Sequence, residues 1–417
     1  MLALIDGNAF YCSCERAFDP RLKGRPVVVL SNNDGCAIAR TQEAKDLGIR
    51  MGEPYHLAKS RPELAGVIWK SSNYALYGDM SRRMFDVMRG FVPAVEPYSI
   101  DEMFLDMHGL ADPVAVSIAV RLAVLRATKI PSCVGIGPTK TIAKLANAIA
   151  KADRAGNGVA DFSDAEGRAA HYSRLPVGEV WGIGRAHVAT LDAHGVKTIS
   201  DFIALADDDI RALLSVVGLR TAWELRGIPC VSFAELPATQ KSLAVTRSFG
   251  RPVMCQEELT AAVATYATRA AEKLRQHRLI ACAMQVFVRT NPFAKTEPQY
   301  ANQTTFGIEP TADTFALIAN ATKAAAHLWR DGFRYAKAGV ILLDLADADR
   351  QPASLFPTRD PERSAALMRA VDAVNARYGR GTVSPGVVSA RPRWGMRRAN
   401  VSPCYTTRID ELLQVHA

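Results

Sequence analysis

The sequence lacks several features that define common protein classes. No Cys-x-x-Cys pair occurs and the eight cysteines are scattered, which is unlike a disulfide framework. No apolar run approaches the ~20 residues that span a bilayer, so no membrane partner is expected. The N-terminal stretch carries Asp6 and no basic flank, unlike a secretory signal peptide. These absences predict a reduced, cytoplasmic protein.

Acidic side chains are outnumbered. The chain has 51 Lys and Arg against 42 Asp and Glu, a net charge of +9. Between Gln240 and Lys295, nine basic residues accompany only three glutamates. This local excess favours a polyanionic partner, nucleic acid before membrane, because no strongly amphipathic basic helix accompanies it. A solvated surface is the plainer alternative.

Strand-like and helical segments alternate in the first part of the chain. Strands are predicted at 1–6, 25–30, 95–106 and 131–137, the last closing on a glycine turn at Gly135–Gly137, and helices at 37–48, 113–128 and 138–152. This order predicts an α+β sheet domain that carries residues 25–75 as an insertion.

Two later units have more regular patterns. VWGIG at 180–184, followed by a helix, is typical of a helix-hairpin-helix module, whose backbone amides hold a DNA phosphate; an ordinary αα-turn is the alternative. From Ser242 to Leu345 the order β-α-β-β-α-β predicts a split βαβ unit with one open face for a nucleic-acid backbone. The expected buried stripe of its second helix is Phe315, Ile318, Thr322, Ala325 and Trp329.

The end of the chain is loop-rich around a helix predicted at about 364–378. In RPRWGMRRAN (391–400), arginines are interleaved with Trp394. Such a segment contacts a DNA strand by charge and stacking, forms a solvated tail, or docks on a protein partner. The sequence leaves these alternatives open.

Two adjacent carboxylates, Asp101 and Glu102, interrupt a strand-like stretch. Burying an unpaired carboxylate is costly, so we expect this pair to be neutralised or to bind a cation. A third acid, Asp6, ends the first strand, which is expected beside that pair. Three carboxylates at a sheet edge suit Mg²⁺, and two ions about 3.5–4 Å apart clamp the attacking and leaving oxygens of a phosphoryl transfer. Surface acids on a turn are the alternative, as for the second Asp-Glu pair at 410–411.

Basic residues accompany these acids in the sequence. Lys45 lies in the inserted segment, and Lys140, Lys144 and Lys151 lie in the helix after the predicted glycine turn. Lys144 and Lys151, seven apart, share a helical face. These lysines are candidate phosphate ligands, with solvated surface charges as the alternative.

Together these motifs resemble the Y-family translesion DNA polymerases of the UmuC type, the catalytic subunit of DNA polymerase V. The resemblance runs the whole length and rests on DGNAFYCSCE, VVVLSNNDGCAIAR, SSNYALYGDMS, YSIDEMF, GIGPTKTIAKLAN, VWGIG, RSFG and SPCYTTR. It implies an α+β multidomain polymerase right hand. Its parts are an α+β palm (1–24 and 76–165), small fingers (25–75), a helical helix-hairpin-helix thumb (166–238), a split βαβ little finger (239–346) and a C-terminal tail for partner binding (347–417).

The resemblance also implies roles for particular residues. Asp6, Asp101 and Glu102 ligate two Mg²⁺ ions and are the catalytic residues. The backbone carbonyl of Gly7 adds a metal ligand. Tyr11 is the steric gate that disfavours a ribose 2′-hydroxyl, and Phe10 packs beside it.

The implied nucleotide pocket departs from the wider family at one point. Many members grip the triphosphate with Tyr-x-x-Arg, whereas Gln42 and Lys45 occupy the matching positions here, as in the UmuC branch. A lysine gives a point charge without the bidentate fork of arginine. Lys151 matches the family's triphosphate-binding lysine, and Cys36 and Ile38 match the small residues that roof the nascent base pair.

The predicted function is error-prone, template-directed DNA synthesis across lesions in the SOS response. The short fingers make few contacts with the new pair, and the assigned units leave no stretch for a proofreading exonuclease. The implied partners are primer–template DNA, dNTPs, a processed UmuD-type dimer, a RecA filament and the sliding clamp, the last through QPASLF (351–356). Another nucleotidyl transfer, such as that of a nucleotide cyclase, and a non-catalytic DNA-binding subunit remain alternatives.

Overall fold

The computed structural model describes residues 1–153, 155–233, 240–349, 360–389 and 392–412, which fall into two compact units. As far as they are described, the first unit combines Met1–Ser31, Gly35–Pro237 and Asn400–Ala417, and the second combines Asn32–Asp34 with Ala238–Ala399. Over these described ranges, no helix is long and apolar enough to cross a membrane.

The first unit alternates strands and helices. Its strands are β1 (Leu2–Gly7), β2 (Val27–Leu30), β3 (Ala37–Arg40), β4 (Ile68–Ser71), β5 (Val95–Pro97), β6 (Glu102–Asp106), β7 (Ser132–Gly137) and β8 (Val159–Asp161). Its helices are α1 (Phe10–Phe18), α2 (Gln42–Asp46), α3 (Tyr55–Ala58), α4 (Tyr74–Met88), α5 (Pro113–Thr128), α6 (Lys140–Ala152), α7 (Ala165–Tyr172), α8 (Arg185–Asp192), α9 (Ile199–Ala204) and α10 (Asp207–Leu225).

A five-stranded sheet in the order β5-β6-β1-β7-β8 lies at the centre of this unit. Alternate β1 side chains, Ala3 and Ile5, join a core built with α1, α4 and α5, while Leu4 faces the other way and packs with Phe104 against α6. Helices therefore cover both faces of the sheet, and little of it except the strand ends is left for polar side chains.

Helix α6 approaches β7 closely because β7 contains glycines. A Cβ atom on Gly135 would lie 2.0 Å from the backbone nitrogen of Asn147 and 2.2 Å from the carbonyl oxygen of Ala143. The Asn147 amide donates to the carbonyls of Leu4 and Cys133 and so ties α6 to the sheet. The predicted turn at Gly135–Gly137 is wrong, because both glycines lie inside β7, where their missing side chains make room for the helix.

Residues 27–71 contain a separate three-stranded sheet, β3-β2-β4. Strand β2 is antiparallel to β3 and parallel to β4. The helix predicted over 37–48 is wrong in its first part, because Ala37 and Ala39 alternate as buried residues in β3 and only α2 is helical.

The VWGIG segment forms a tight hairpin immediately before α8. Gly182 has φ +90°, and Gly184 caps the helix. Gly195, with φ +77°, follows α8, and Thr198 starts α9 with a capping box to Asp201. The predicted hairpin and the helix after it are confirmed, although the segment before the hairpin is only a short 3₁₀ turn.

The second unit contains β9 (Leu243–Val253), α11 (Gln256–Gln276), β10 (Leu279–Thr290), β11 (Ala301–Thr311), α12 (Thr314–Leu328), β12 (Tyr335–Asp347) and α13 (Pro361–Tyr378). The predicted order β-α-β-β-α-β is confirmed, and the sheet order is β11-β10-β12-β9. Val286 and Val288 of β10 are buried in the core with α11 and α12. The alternating residues Gln285, Phe287 and Arg289 lie on the opposite, more open face.

Helix α12 buries only part of the predicted stripe, since Ile318 and Ala325 are buried but Phe315, Thr322 and Trp329 are not. Its buried residues include Leu317, Ile318, Ala321, Ala325 and Leu328, whereas Phe315 is 39% exposed. Because α12 packs against α11 as well as against β10 and β11, its buried face is wider than a single stripe and is turned away from Phe315.

The tail segment around Trp394 closes the core of its own unit. The Trp394 ring packs edge-on against Phe249 and Tyr266, with centroids 5.9 and 5.8 Å away. Its carbonyl accepts a hydrogen bond from Gly250 N at 2.9 Å. Stacking of Trp394 on a DNA strand is therefore wrong as a prediction, since the ring is only 7% exposed.

Candidate active site at the strand ends of the five-stranded sheet

Three acidic residues lie close together along the backbone where β1 ends and β6 begins. Asp6 and Glu102 are directly opposite each other in the antiparallel pair, so the prediction that β1 lies beside the Asp101–Glu102 segment is confirmed. Asp101 belongs to the turn between β5 and β6, and its carbonyl accepts a hydrogen bond from Gly7 N at 2.9 Å. The Ser99 hydroxyl accepts hydrogen bonds from the backbone amides of Asp101 and Glu102. It donates to the Asp101 carboxylate at 2.7 Å.

Two lysines of α6 neutralise two of these acids. Lys151 pairs with Asp6, and Lys144 Nζ lies 2.5 Å from Glu102 Oε1. Over the described residues, no three His, Cys, Asp or Glu side chains converge as a ready-made metal cage. The ammonium groups therefore supply positive charge to acids whose oxygen donors suit a hard cation.

The carboxyl of Asp6 has a raised pKa. Burial and, to a smaller extent, the charges of Asp101 and Glu102 raise it to about 7, against the opposing effect of Lys151. Mutual repulsion of this kind marks a local excess of negative charge at the strand ends. Such perturbation is typical of functional sites.

Lys140, the third candidate lysine of α6, has a different environment. It is 2% exposed, its Nζ lies 2.7 and 2.6 Å from the two Glu96 carboxylate oxygens, and it donates to the Ser232 carbonyl at 2.8 Å. Its ammonium also lies over the Phe104 ring. The candidate role of Lys140 as a phosphate ligand is therefore wrong, because its ammonium group is buried and already paired with the Glu96 carboxylate.

Lys144 is held by aromatic rings as well as by Glu102. Its Nζ lies 4.8 Å from the Tyr98 ring centroid and 5.9 Å from that of Trp181. The two rings meet edge-to-face at 5.3 Å. Trp181 belongs to the VWGIG hairpin, which therefore contacts the side chains around Glu102 directly.

Tyr11 lies near the start of α1 in a cluster of aromatic rings. It stacks on Tyr77 with a centroid distance of 4.7 Å and meets Tyr74 edge-on at 5.9 Å. Burial first, then the nearby Tyr74 and Asp101, raise the pKa of Tyr11 to about 12. Phe10 is buried beside it, and Gly7 leaves the space for Phe10, since a Cβ there would lie 3.0 Å from the Phe10 ring.

The support behind Tyr11 was missed by sequence reasoning. Tyr77 donates to the buried Glu15 carboxylate at 2.7 Å, and Ser402 donates to the same carboxylate oxygen at 2.9 Å. The Asn73 amide in turn donates to the Ser402 carbonyl and hydroxyl. The signal was present, because SSNYALYGDMS and SPCYTTR stood out as motifs without an assigned role.

The residues expected around the nucleotide are only partly brought together. Ile38 packs against the same core as Tyr11. Cys36 lies two residues before Ile38 and forms an isolated antiparallel β-bridge with Pro54. Gln42 donates to Asp46 within α2 at 2.6 Å, and Lys45 is exposed on the same helix. Among the described residues, neither Gln42 nor Lys45 forms a hydrogen bond or ion pair with any of the three acids.

Comparison with known proteins agrees with this architecture. The impB/mucB/samB family model matches residues 5–148, its C-terminal domain matches 240–355, and a domain of unknown function matches 365–415. Protein UmuC of Salmonella typhimurium is 44% identical over 100% of both chains. Protein MucB of Escherichia coli is 40% identical over 98% of this chain and 97% of its own. DNA polymerase IV of Moorella thermoacetica is 28% identical over 93% and 95%.

Two solved structures share the fold. A Y-family DNA polymerase chimera, Dbh-Dpo4(243-245)-Dbh, has a TM-score of 0.66 at 19% identity, over 82% of this chain and 98% of its own. An insertion ternary complex of Dbh DNA polymerase has a TM-score of 0.55 at 17% identity over the same shares. The fold class predicted from the sequence, an α+β multidomain polymerase, is confirmed by these likenesses.

An α+β multidomain chain with carboxylates at the strand ends of its main sheet has the architecture of a Y-family DNA polymerase. The chain belongs to the impB/mucB/samB family, in which it is a DNA-directed DNA polymerase of the UmuC type. Its family supports DNA synthesis past template lesions as the activity.

Proposed function

We propose that this chain copies damaged templates in the SOS response by two-metal nucleotidyl transfer. The observation that carries the proposal is the group of Asp6, Asp101 and Glu102 at adjoining strand ends. The 44% identity to Protein UmuC over the full length supports the same activity.

The three carboxylates and the Gly7 carbonyl are the groups that would hold two Mg²⁺ ions. These groups offer oxygen donors, and the charges of Asp101 and Glu102 raise the pKa of Asp6, which fits a cation-binding donor set. Bound Mg²⁺ supplies activation of the primer 3′-hydroxyl and neutralisation of the leaving pyrophosphate. With a divalent cation present, Lys144 and Lys151 no longer need to neutralise the acids.

The chain's own residues bind and select the nucleotide. Lys151 is our candidate ligand for the triphosphate, with Gln42 and Lys45 of α2 as further candidates. Tyr11 acts as the steric gate, because Tyr77 and Tyr74 support its ring and prevent it from yielding to a 2′-hydroxyl. Phe10 supports Tyr11, and Cys36 and Ile38 form the roof over the nascent pair.

We assign the parts of the hand as follows: palm 1–24 and 76–165, fingers 25–75, thumb 166–238, little finger 239–346 and a partner-binding tail 347–417. The hairpin at 182–184 offers backbone amides to a DNA phosphate. The open face of the four-stranded sheet carries Arg289 directly opposite Lys337. These cations suit a nucleic-acid backbone.

The proposed partners are primer–template DNA, dNTPs, a processed UmuD-type dimer, a RecA filament and the sliding clamp, in the cytoplasm. Full-length similarity to Protein UmuC supports the first of these protein partners. The predicted clamp segment 351–356 lies outside the described residues. A peptide of residues 347–360 that failed to compete for the clamp would contradict that assignment.

The test is primer extension in Mg²⁺ on undamaged and abasic templates, with and without the UmuD-type partner and RecA filament. Asp101→Ala should reduce extension by at least about a thousandfold while leaving the Kd for DNA within about threefold. Asp410→Ala is the matched control, since Asp410 belongs to the second Asp-Glu pair and is exposed beside Arg408. Equal extension by Asp101→Ala and the parent would mean that these acids hold no catalytic metal. No extension by either protein would favour the non-catalytic subunit.

A further inference from the structure

The second unit contains a cavity of about 540 Å³ that the polymerase chemistry does not use. It lies between α11, α13 and the segment that leads to Met396. Its lining on α11 runs from Thr265 to Arg275, which is about 15 Å of helix. The volume falls within the roughly 300–1,000 Å³ of small-molecule sites.

Apolar side chains form much of the cavity wall. Met368 and Val371 come from α13, Val388 and Trp394 come from the following segment, and Phe315 comes from α12. Phe315 is a large apolar side chain of α12 that the core leaves 39% exposed. A wall of this kind favours a ligand with an apolar body.

The cavity also carries more positive than negative charge. The Arg275 guanidinium is balanced by the Asp372 carboxylate, to which it donates two hydrogen bonds of 2.7 Å. Arg269 and Arg380, however, share one carboxylate, that of Glu272, at 2.5 and 3.6 Å.

Arg247 also lines the cavity, and Lys273 lies near these arginines. Within the described residues, the Arg247 guanidinium donates a hydrogen bond to the neighbouring Thr246 carbonyl and forms no ion pair. Burial lowers the pKa of Lys273, and so do the charges of Arg269, Arg247 and Arg380 around it. An anion in the cavity would relieve this mutual repulsion.

A buried hydroxyl in the cavity wall lacks a partner. The Tyr266 side chain lines the cavity and is 3% exposed. Its hydroxyl oxygen has no hydrogen-bond partner in the described structure. Buried polar groups are nearly always hydrogen-bonded, so an orphan phenol beside a cavity points to a missing ligand atom.

We propose that this cavity binds a small organic anion, with an apolar body against Trp394 and Met368 and a carboxylate, sulfonate or phosphate group near Arg380, Arg269 and the Tyr266 hydroxyl. Observations within the second unit carry the proposal. The proposal can therefore be tested independently of the polymerase chemistry of the five-stranded sheet.

Titration of the full chain with anilinonaphthalenesulfonate, an aromatic anion, tests the proposal by fluorescence and calorimetry. One molecule should bind per chain, and uncharged N-phenylnaphthylamine should bind at least tenfold more weakly. Arg380→Gln and Tyr266→Phe should each weaken the probe about tenfold, because each removes a hydrogen bond to a charged group. Lys323→Gln on the exposed side of α12 and Tyr300→Phe, whose hydroxyl is bonded to the Leu328 carbonyl, should not.

Thermal unfolding separates binding from folding. Without the probe, Tyr266→Phe should be as stable as the parent or more so, because it removes an unsatisfied buried hydroxyl. Equal probe affinity in all four variants would mean adventitious apolar binding and would overturn the proposal. Displacement of the probe by single-stranded oligothymidylate, with dependence on Arg380 but not on Tyr266, would also overturn it in favour of a nucleic-acid phosphate.

Discussion

The five-stranded and four-stranded sheets carry their polar residues in different places. Helices cover both faces of the first sheet, and its charged residues Asp6 and Glu102 lie at strand ends. Within the described part of the second unit, helices cover one face of the sheet, and Arg289 and Lys337 lie within its strands on the other face. Strand ends bring a few charges together in a partly buried place, which suits chemistry, whereas an open face spreads charges along a surface, which suits a long polyanion.

The largest difference in stability between the two sheets is expected when one methyl group is added to a glycine of each. Gly135→Ala should destabilise the fold by more than about 4 kcal/mol, because its Cβ would overlap backbone atoms of α6 that cannot move aside. Gly307→Ala in β11 should change stability by less than about 0.5 kcal/mol, since nothing lies within 4 Å of its Cβ. Denaturant unfolding of both variants measures the difference, and equal stabilities would refute the role assigned to the α6–β7 contact.

Trp394→Ala tests whether the tail belongs to the core of the four-stranded unit. We expect a loss of about 3 kcal/mol, because a buried indole packed on Phe249 and Tyr266 is removed. Phe293→Ala is the control, since Phe293 is 89% exposed in the same unit. Thermal unfolding is measured beside single-stranded DNA affinity; weakened DNA binding at unchanged stability would restore the stacking role.

The sequence predicted element order well and local surroundings less well. Periodicity located α5, α6, α11 and the β-α-β-β-α-β order, because these segments have strong repeating patterns. It misplaced the glycines of β7 and part of the buried face of α12, since both depend on a neighbouring helix distant in sequence. Trp394 was misread for the same reason, because nothing near it in sequence marks its partners.

The candidate site shows the same limit. The acids and the lysines of α6 could be named from motifs and spacing. Which lysine meets which acid could not, because the answer depends on how α6 lies across β1 and β6. The burial of Lys140 against Glu96 was equally invisible, since those residues lie 44 positions apart.

Lys151→Met sharpens the distinction between lysines that serve the site and lysines that serve the fold. We expect kcat/KM to fall about 10- to 100-fold, mainly through a higher KM for dNTP, because one charge-assisted contact to phosphate is lost. Mg²⁺ should bind the free variant more tightly, since the ammonium no longer competes for Asp6. Steady-state kinetics and Mg²⁺ titration test both effects, with the exposed Lys197→Met as control. An unchanged KM for dNTP would remove Lys151 from the nucleotide site.

The smallest expected effect is on the open face of the four-stranded sheet. Burial lowers the pKa of Lys337, and so does the charge of Arg289, so these two cations repel each other and gain from a phosphate placed between them. The double variant Arg289→Gln, Lys337→Gln should weaken duplex DNA binding several-fold and reduce the slope of log K against log salt by about 2. Lys323→Gln, on the exposed side of α12, should leave that slope unchanged. An identical slope for the double variant and the parent would mean that DNA is held elsewhere, and the contrast between the two sheets would then concern packing alone.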